Sequence, residues 1–288
     1  MNPMALVTGA GSGFGFETVK ALLKQNWRVL AGVKNLDVEA EHFKELQDQY
    51  PHTLIVKQLD ITLPEQRLAI VQAVNDQFGH LDLLVNNAGF GTYGALYDLS
   101  EDQIRYQFEV NFFGPLLFTQ LLIPVLQSGG KIINVTSIMA RYSMPLVSMY
   151  SASKYALEGA WEGIYQELAI LGIQSCTVQP GGYRTAFYKS LTWGKSSFAE
   201  TSPYRDMGLH FQNFMRQLAQ RPKAPDPQDV ANEIVKLAGQ SQLPRTCVIG
   251  KDAKLIALLQ RVLPYVWFHR VMNLLHQKIL GPFKPSKI

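Results

Sequence analysis

Ala5-Leu6-Val7-Thr8-Gly9-Ala10-Gly11-Ser12-Gly13-Phe14-Gly15 decides the fold. Its first four residues read as a buried strand, its glycines as a tight turn, and residues 13–25 as a helix by apolar spacing. As Gly-x-Gly-x-x-Gly the stretch fails, because Phe14 stands where the third glycine belongs. As Thr-Gly-x-x-x-Gly-x-Gly it fits, through Gly9, Gly13 and Gly15. Both patterns answer one need: glycines let the backbone turn sharply and approach a pyrophosphate, whose charge meets unpaired N–H groups at a helix start. On that reading Thr8, Gly9, Ser12, Gly13, Phe14 and Gly15 line a dinucleotide; an ordinary strand-to-helix turn is the competing reading.

Outward from this stretch, short β-branched runs alternate with longer helical patterns. Residues 28–33, 54–59, 81–85, 131–136, 174–178 and 246–249 read as strands, and 37–49, 64–78, 101–127, 148–171 and 227–239 as helices. Asp37 is read as the N-cap of the second helix, and Asp226 with Pro227 opens the helix before the last strand. Such alternation implies right-handed crossovers and a parallel sheet covered on both faces, a doubly wound α/β (Rossmann) fold. No repeat or low-complexity linker divides the chain. Residues 1–250 are expected to form one dinucleotide-binding and catalytic domain, with 186–226 inserted beside the substrate and 251–288 a basic amphipathic tail.

Of the 288 residues, 47% are hydrophobic and 17% charged, which excludes a disordered or collagen-like chain. Cys176 and Cys247 are too few for a disulfide framework and lack metal-ligand spacing, so a reducing, cytoplasmic setting and no metal are expected. Residues 1–9 read as strand and turn rather than a signal peptide. The longest apolar stretch, 114–126, is interrupted by Thr119, Gln120 and Pro124 and is too short to span a bilayer. Seven of the 27 Lys/Arg but one of the 23 Asp/Glu follow residue 250, so the tail carries +6 and the body −2. That is not a nucleic-acid-binding profile.

The second strand ends Gly32-Val33-Lys34-Asn35. An acid there would accept from the adenosine ribose and select NAD, whereas Lys34 suits a 2′-phosphate and selects NADP. A solvated Lys34, and Asp37 as the ribose acid, are the alternatives. Tyr150-Ser151-Ala152-Ser153-Lys154 sets a phenol and an ammonium one turn apart on one helix face. Ser137 lies thirteen residues earlier, at the carboxyl end of a strand, where open α/β sheets take ligands. Asn111 is a polar residue inside an apolar helical run; it either serves the chemistry or satisfies backbone in a kinked helix. A carbonyl that receives hydride becomes an alkoxide in need of a proton. A phenol titrating near pH 10 supplies one reversibly at neutral pH only if lowered by roughly three, or ~4 kcal/mol. The Lys154 ammonium acts in that direction, and the Ser137 hydroxyl can donate to the developing oxyanion.

With these residues in view, the sequence resembles the classical branch of the short-chain dehydrogenase/reductase family over residues 4–250. It carries the glycine motif at 8–15, Asn86-Asn87-Ala88-Gly89 after the fourth strand, Asn111, Ser137, Tyr150 and Lys154 in order, and Pro180-Gly181-Gly182-Tyr183-Arg184-Thr185. The resemblance implies a seven-stranded parallel sheet and a nicotinamide cofactor. It also implies that Lys154 binds the nicotinamide ribose and that Asn111 holds a water in a proton relay. Asp60 would meet the adenine amino group, with a capped turn as its alternative role. Asn87, Ala88 and Gly89 would line the adenosine-ribose side, Thr185 would meet the carboxamide, and Ile61, Pro180 and Gly181 would also bind the cofactor.

Phe90, Met139, Tyr142, Met144, Phe187, Tyr188 and Trp193 flank these positions. With Ser137 and Tyr150 touching the reacting oxygen, Met144 and Phe187 are the candidate substrate contacts, for an apolar alcohol or carbonyl of steroid-, retinoid- or lipid-like class. The tail, aromatic and basic with a break at Pro264, suits either packing on protein or contact with a membrane surface. A homo-oligomer stays open. The expected activity is NADP(H)-dependent alcohol–carbonyl interconversion; NAD dependence, a non-catalytic NADP-binding scaffold and a membrane-surface protein are the rivals.

Overall fold

A computed structural model of the chain describes residues 2–185, 187, 190–219 and 225–281. Its elements run β1 (Met4–Thr8), α1 (Gly13–Lys24), β2 (Arg28–Val33), α2 (Leu36–Glu39), α3 (Lys44–Gln49), β3 (Leu54–Gln58), α4 (Pro64–Phe78), β4 (Leu81–Asn86) and β5 (Thr92–Tyr93). Then come α5 (Glu101–Phe108), α6 (Gly114–Leu122), β6 (Leu126–Val135), α7 (Ser148–Ile170), β7 (Gln174–Pro180) and β8 (Thr192–Trp193). The chain continues through α8 (Arg205–Ala219), α9 (Pro227–Gly239), β9 (Thr246–Ile249), α10 (Lys251–Val262) and α11 (Tyr265–Leu280).

Seven strands pair in parallel in the order β3-β2-β1-β4-β6-β7-β9. Every residue of β1 is buried, and its side chains divide between two cores. Ala5 and Val7 join Val19 and Leu22 of α1 and Val230 and Ile234 of α9. Met4 and Leu6 join Ile70 of α4, Phe118 of α6 and Leu157 of α7. This is the period-two alternation of a strand with helices on both faces. Strand order reverses between β1 and β4, so a crevice opens beyond their carboxyl ends, and the glycine turn and the Asn87 segment flank it.

Several expectations need correction. Asp37 does not cap its helix: the Glu39 N–H donates to the Asn35 carbonyl, so the helix starts earlier and Asp37 sits in its first turn. The expected helix 37–49 is two short helices around a 3₁₀ turn, Ala40–Phe43, that leaves Phe43 fully buried against Phe16. The helix expected over 101–127 starts with a capping box, Ser100 and Gln103, but widens into a π-turn at Glu109–Phe113. Strand β6 begins at Leu126, five residues before the expected start, and crosses an irregularity in its pairing with β4. The continuous helical run Glu101–Val125 is longer than the interrupted apolar stretch suggests, and by length and composition it could cross a membrane. Here it lies on the sheet, with Phe118 and Leu122 fully buried.

The 186–226 insertion contains a helix, α8, that the expected strands and helices do not include. Its signal was the spacing of Met207, Phe211, Phe214 and Met215, which puts one apolar stripe inward. The tail is helical on both sides of Pro264, as the break predicts. Tyr188 lies outside the described residues.

Phe118 has no exposed surface, whereas Phe113, on the same helical run, is 41% exposed. Phe118→Ala is expected to lower unfolding free energy by about 3–5 kcal/mol in chemical denaturation, and Phe113→Ala by about 0.5 kcal/mol or less. Equal costs would contradict this packing.

Candidate active site

The glycine turn is stitched to the end of β4. Thr8 Oγ1 accepts from the N–H groups of Asn87 and Ala88, each at 3.0 Å, and the Asn87 amide donates to the Thr8 and Gly9 carbonyls, each at 3.0 Å. Two glycines are required by geometry. A Cβ on Gly9 would stand 2.7 Å from the Ala88 backbone at a φ of +61°, and Gly13 has a φ of +55° facing Thr185. Helix α1 then begins with Ser12 at its N-cap making no side-chain cap bond. Backbone N–H groups at this end, in a cradle that a side chain would fill, fit a dinucleotide pyrophosphate. Phe14 packs its ring edge-on against Tyr183, so its side chain serves the domain.

Beyond β2, Lys34 and Asp60 meet in an ion pair of 3.2 Å, and the Lys34 ammonium also donates to the Tyr106 hydroxyl at 2.5 Å. Burial opposes the charge on Lys34, but Tyr106 and Asp60 outweigh it and raise its pKa. Burial likewise works against charged Asp60, whose pKa is nonetheless lowered by hydrogen bonds from Thr62 and by Lys34. Asp60 thus both caps its own turn and faces the cation. Ile61 turns its side chain into the core against Gly114, where a Cβ would stand 2.8 Å from it. Glu39 is a residue that sequence reasoning missed: its carboxylate lies where a Gly11 side chain would go and accepts from the Asn35 N–H at 3.1 Å. The acid spaced one turn beyond Asn35 was the available signal.

On the other side of the crevice, Lys154 is 4% exposed and donates to the Val135 carbonyl at 3.0 Å, two residues before Ser137. Burial pushes its pKa down to about 8, while Glu158 one turn on works against that shift. The missing Cβ of Gly89 would stand 3.3 Å from both Lys154 Nζ and Asn111 Oδ1, so a glycine keeps this corner open. Fully buried Asn111 accepts from the Phe90 N–H and donates to the Phe90 carbonyl and to Ser153 Oγ, at 3.0, 3.0 and 3.1 Å. Ser153 in turn donates to the Tyr150 carbonyl at 2.7 Å. The π-turn is therefore tied directly to the first turns of α7. Ser137 accepts from the Met139 N–H at 3.1 Å, which uses a lone pair and leaves the hydroxyl proton for an acceptor.

Tyr150 is 7% exposed. Its ring meets Tyr93 and Phe187 with centroids 5.9 and 5.6 Å away, inside an apolar cluster that includes Met139, Met144, Trp193 and Phe211. Phe90 instead pairs with Tyr106, and Tyr142 stacks on His276 beneath α11. A cavity of about 320 Å³ lined by Ala95, Leu96, Pro145, Leu146, Ser148, Tyr204 and Met207 adjoins the Tyr150 cluster, sharing Ala95, Leu146 and Met207 with it. Strand β7 delivers Pro180; Gly182 N–H donates to Asp252 of α10 at 2.8 Å, and Gln260 donates to the Arg141 carbonyl at 2.7 Å. The start of the tail is thus fastened to the segments that follow β6 and β7. Glu158, also missed, accepts from Thr136, Thr177 and Gln179 and binds α7 to both strands.

The family model for short chain dehydrogenases matches residues 3–195. An uncharacterized oxidoreductase of Bacillus subtilis, YusZ, is 32% identical over 276 residues, 94% of this chain and 97% of its own length. An NADPH-dependent 3-dehydrocapnine reductase of Ornithobacterium rhinotracheale is 30% identical, over 86% of this chain and 81% of its own. The crystal structure of a short-chain dehydrogenase from Burkholderia cenocepacia in complex with NADP superposes with a TM-score of 0.69 at 26% identity, covering 98% of each chain. With the site's geometry, these likenesses define a nicotinamide-dinucleotide oxidoreductase fold. The chain belongs to the short-chain dehydrogenase/reductase family.

Lys154 gives the site a pH signature. Folded, it titrates near 8; unfolded, near the ordinary 10.5. Between those values the unfolded chain binds more protons, so this group's contribution to stability rises as pH increases from about 8 toward 10.5. Thermal unfolding of wild type against Lys154→Met is expected to move in favour of wild type between about pH 7 and about pH 9.5. A difference independent of pH would place the Lys154 amine in an ordinary solvated setting.

Proposed function

We propose that the protein is an NADP(H)-dependent oxidoreductase that interconverts a hydrophobic secondary alcohol and its carbonyl, of steroid-, retinoid- or lipid-like class. The observation that carries this reading is a tyrosine enclosed by aromatic and methionine side chains, one turn from a buried lysine whose neighbouring corner Gly89 keeps open. When bound, a reduced nicotinamide supplies the hydride. Tyr150 gives its phenolic proton to the carbonyl oxygen as charge grows there, and Ser137 donates a hydrogen bond to the same oxygen. The Lys154 ammonium stabilises the phenolate left behind. Both N–H groups of the Asn111 amide are engaged, so a relay water at this position would donate, either to the second lone pair of Oδ1 or to a carbonyl of the π-turn.

NADP is supported by Lys34, which can exchange Asp60 for a 2′-phosphate, by the NADPH-dependent relative and by the NADP-bound neighbour. Glu39 beside Gly11 favours the second reading, NAD, because a carboxylate accepts from ribose hydroxyls and repels a phosphate. The apolar substrate class is supported by the Tyr150 cluster with Met144 and Phe187 and by the adjoining cavity. A reducing, cytoplasmic setting belongs to the same proposal.

Tyr150→Phe is expected to lower turnover of an apolar ketone at least about a hundredfold while NADPH affinity, read by nucleotide fluorescence, stays within a few-fold. An active variant would refute the assignment. Lys34→Ala is expected to weaken NADPH binding roughly tenfold and leave NADH unchanged, and Glu39→Gln to strengthen NADPH binding. Wild-type preference for NADH, unaltered in Lys34→Ala, would decide for NAD.

A further inference from the structure

At the break between α10 and α11 the chain turns large apolar side chains outward. Val262, Tyr265, Val266 and Trp267 are 60%, 77%, 59% and 57% exposed. Leu255 and Leu258, seven and four residues before Val262, continue the row on the same face of α10. This is not slack in a poorly seated tail. Phe268 and Met272 of α11 are buried against Ile138 and Tyr142, and Leu280 against Phe211 and Met215 of α8. The inward stripe is satisfied, and the elbow at 262–267 is an additional apolar surface. Single exposed leucines need no explanation, but a contiguous protruding group of this kind does.

Charge identifies what covers it. Lys251, Lys254, Arg261, Arg270 and Lys278 are all exposed on these two helices. The one acid among residues 251–281, Asp252, has its carboxylate turned onto the Gly182 N–H. Arg270 lies over the Trp267 ring at 5.1 Å, so a cation and an amphipathic aromatic are presented together. A symmetric contact between two copies of the elbow would press these like-charged rims against each other. An anionic bilayer surface satisfies both features, since Tyr and Trp settle at the headgroup level and Lys and Arg pair with lipid phosphates.

We propose that the elbow at residues 262–267 docks the protein on an anionic phospholipid bilayer, with Val262, Val266 and Trp267 entering the headgroup boundary and Arg261 and Arg270 holding phosphates. Helices of 12 and 16 residues are too short to span the hydrocarbon, so the contact is peripheral. Because α11 ends on α8, beside Tyr150, the docked tail rests on the helix that closes the apolar pocket. The inference stands on the tail alone and does not depend on the catalytic reading.

Flotation of the full chain with vesicles tests it. Binding is expected to vesicles of about seven parts phosphatidylcholine to three of phosphatidylserine, not to phosphatidylcholine alone, and to fall when salt is raised to about 0.5 M. R261Q/R270Q is expected to weaken binding roughly thirtyfold, from two cations at about 1 kcal/mol each. V266S/W267S is expected to lose it as well; thermal transitions matching wild type in both variants show that they fold. Absence of wild-type binding, or binding unaltered in both variants, overturns the proposal. So does a wild-type dimer that V266S/W267S converts to monomer in light scattering without any lipid effect, because the elbow would then join two copies.

Discussion

The crevice exists because the end of β1 is bonded to the end of β4. Thr8 and Gly9 exchange four hydrogen bonds with Asn87 and Ala88 across a sequence separation of nearly eighty residues, and they do so where parallel strand order reverses. Buried peptide groups leaving a strand need partners, and here a hydroxyl and an amide supply them. With that junction fixed, the backbone can pass through Gly9 at positive φ and feed α1 with its N–H groups facing the opening. Any bulkier residue at position 9 would strike the Ala88 backbone. The motif at 8–15 and the motif at 86–89 are therefore two halves of one device.

The opposite wall depends on a second economy. A lysine is rarely fully buried, and Lys154 is tolerated because the Val135 carbonyl accepts from it and Glu158 lies one turn away. The π-turn at Glu109–Phe113 brings Asn111 into the same wall, where it satisfies the Phe90 backbone and reaches Ser153. Local irregularity in a helix thus places a polar group that a regular helix would direct elsewhere. The surrounding cluster of Tyr93, Phe187 and Phe211 keeps the Tyr150 end apolar, so polar and apolar halves of one crevice meet at a single tyrosine.

The tail ties the ends of the molecule to this centre. Asp252 and Gln260 bond the segments after β7 and β6, and Leu280 reaches α8. Its outward residues remain a separate surface with its own charge, so one pair of helices carries both an inner packed face and an outer apolar and basic one.

Periodicity and glycine spacing alone determined the strands, their parallel arrangement and the order of motifs, because a strand covered on both faces and a turn at positive φ each demand particular residues locally. Residue type and spacing nominated Asn111, Ser137, Tyr150 and Lys154 as candidates; what each side chain touches was not legible. Tertiary structure decided that Asp60 faces Lys34, that Glu39 fills the space beside Gly11, that Asp37 is not a cap, and that Glu158 binds α7 to two strands. It also decided the π-turn within the 101–125 helical run and the packing of the α8 stripe, since both answer to partners distant in sequence. Local propensity sees only near neighbours, whereas a buried hydrogen bond or an apolar contact is settled by whichever residue the fold brings within reach.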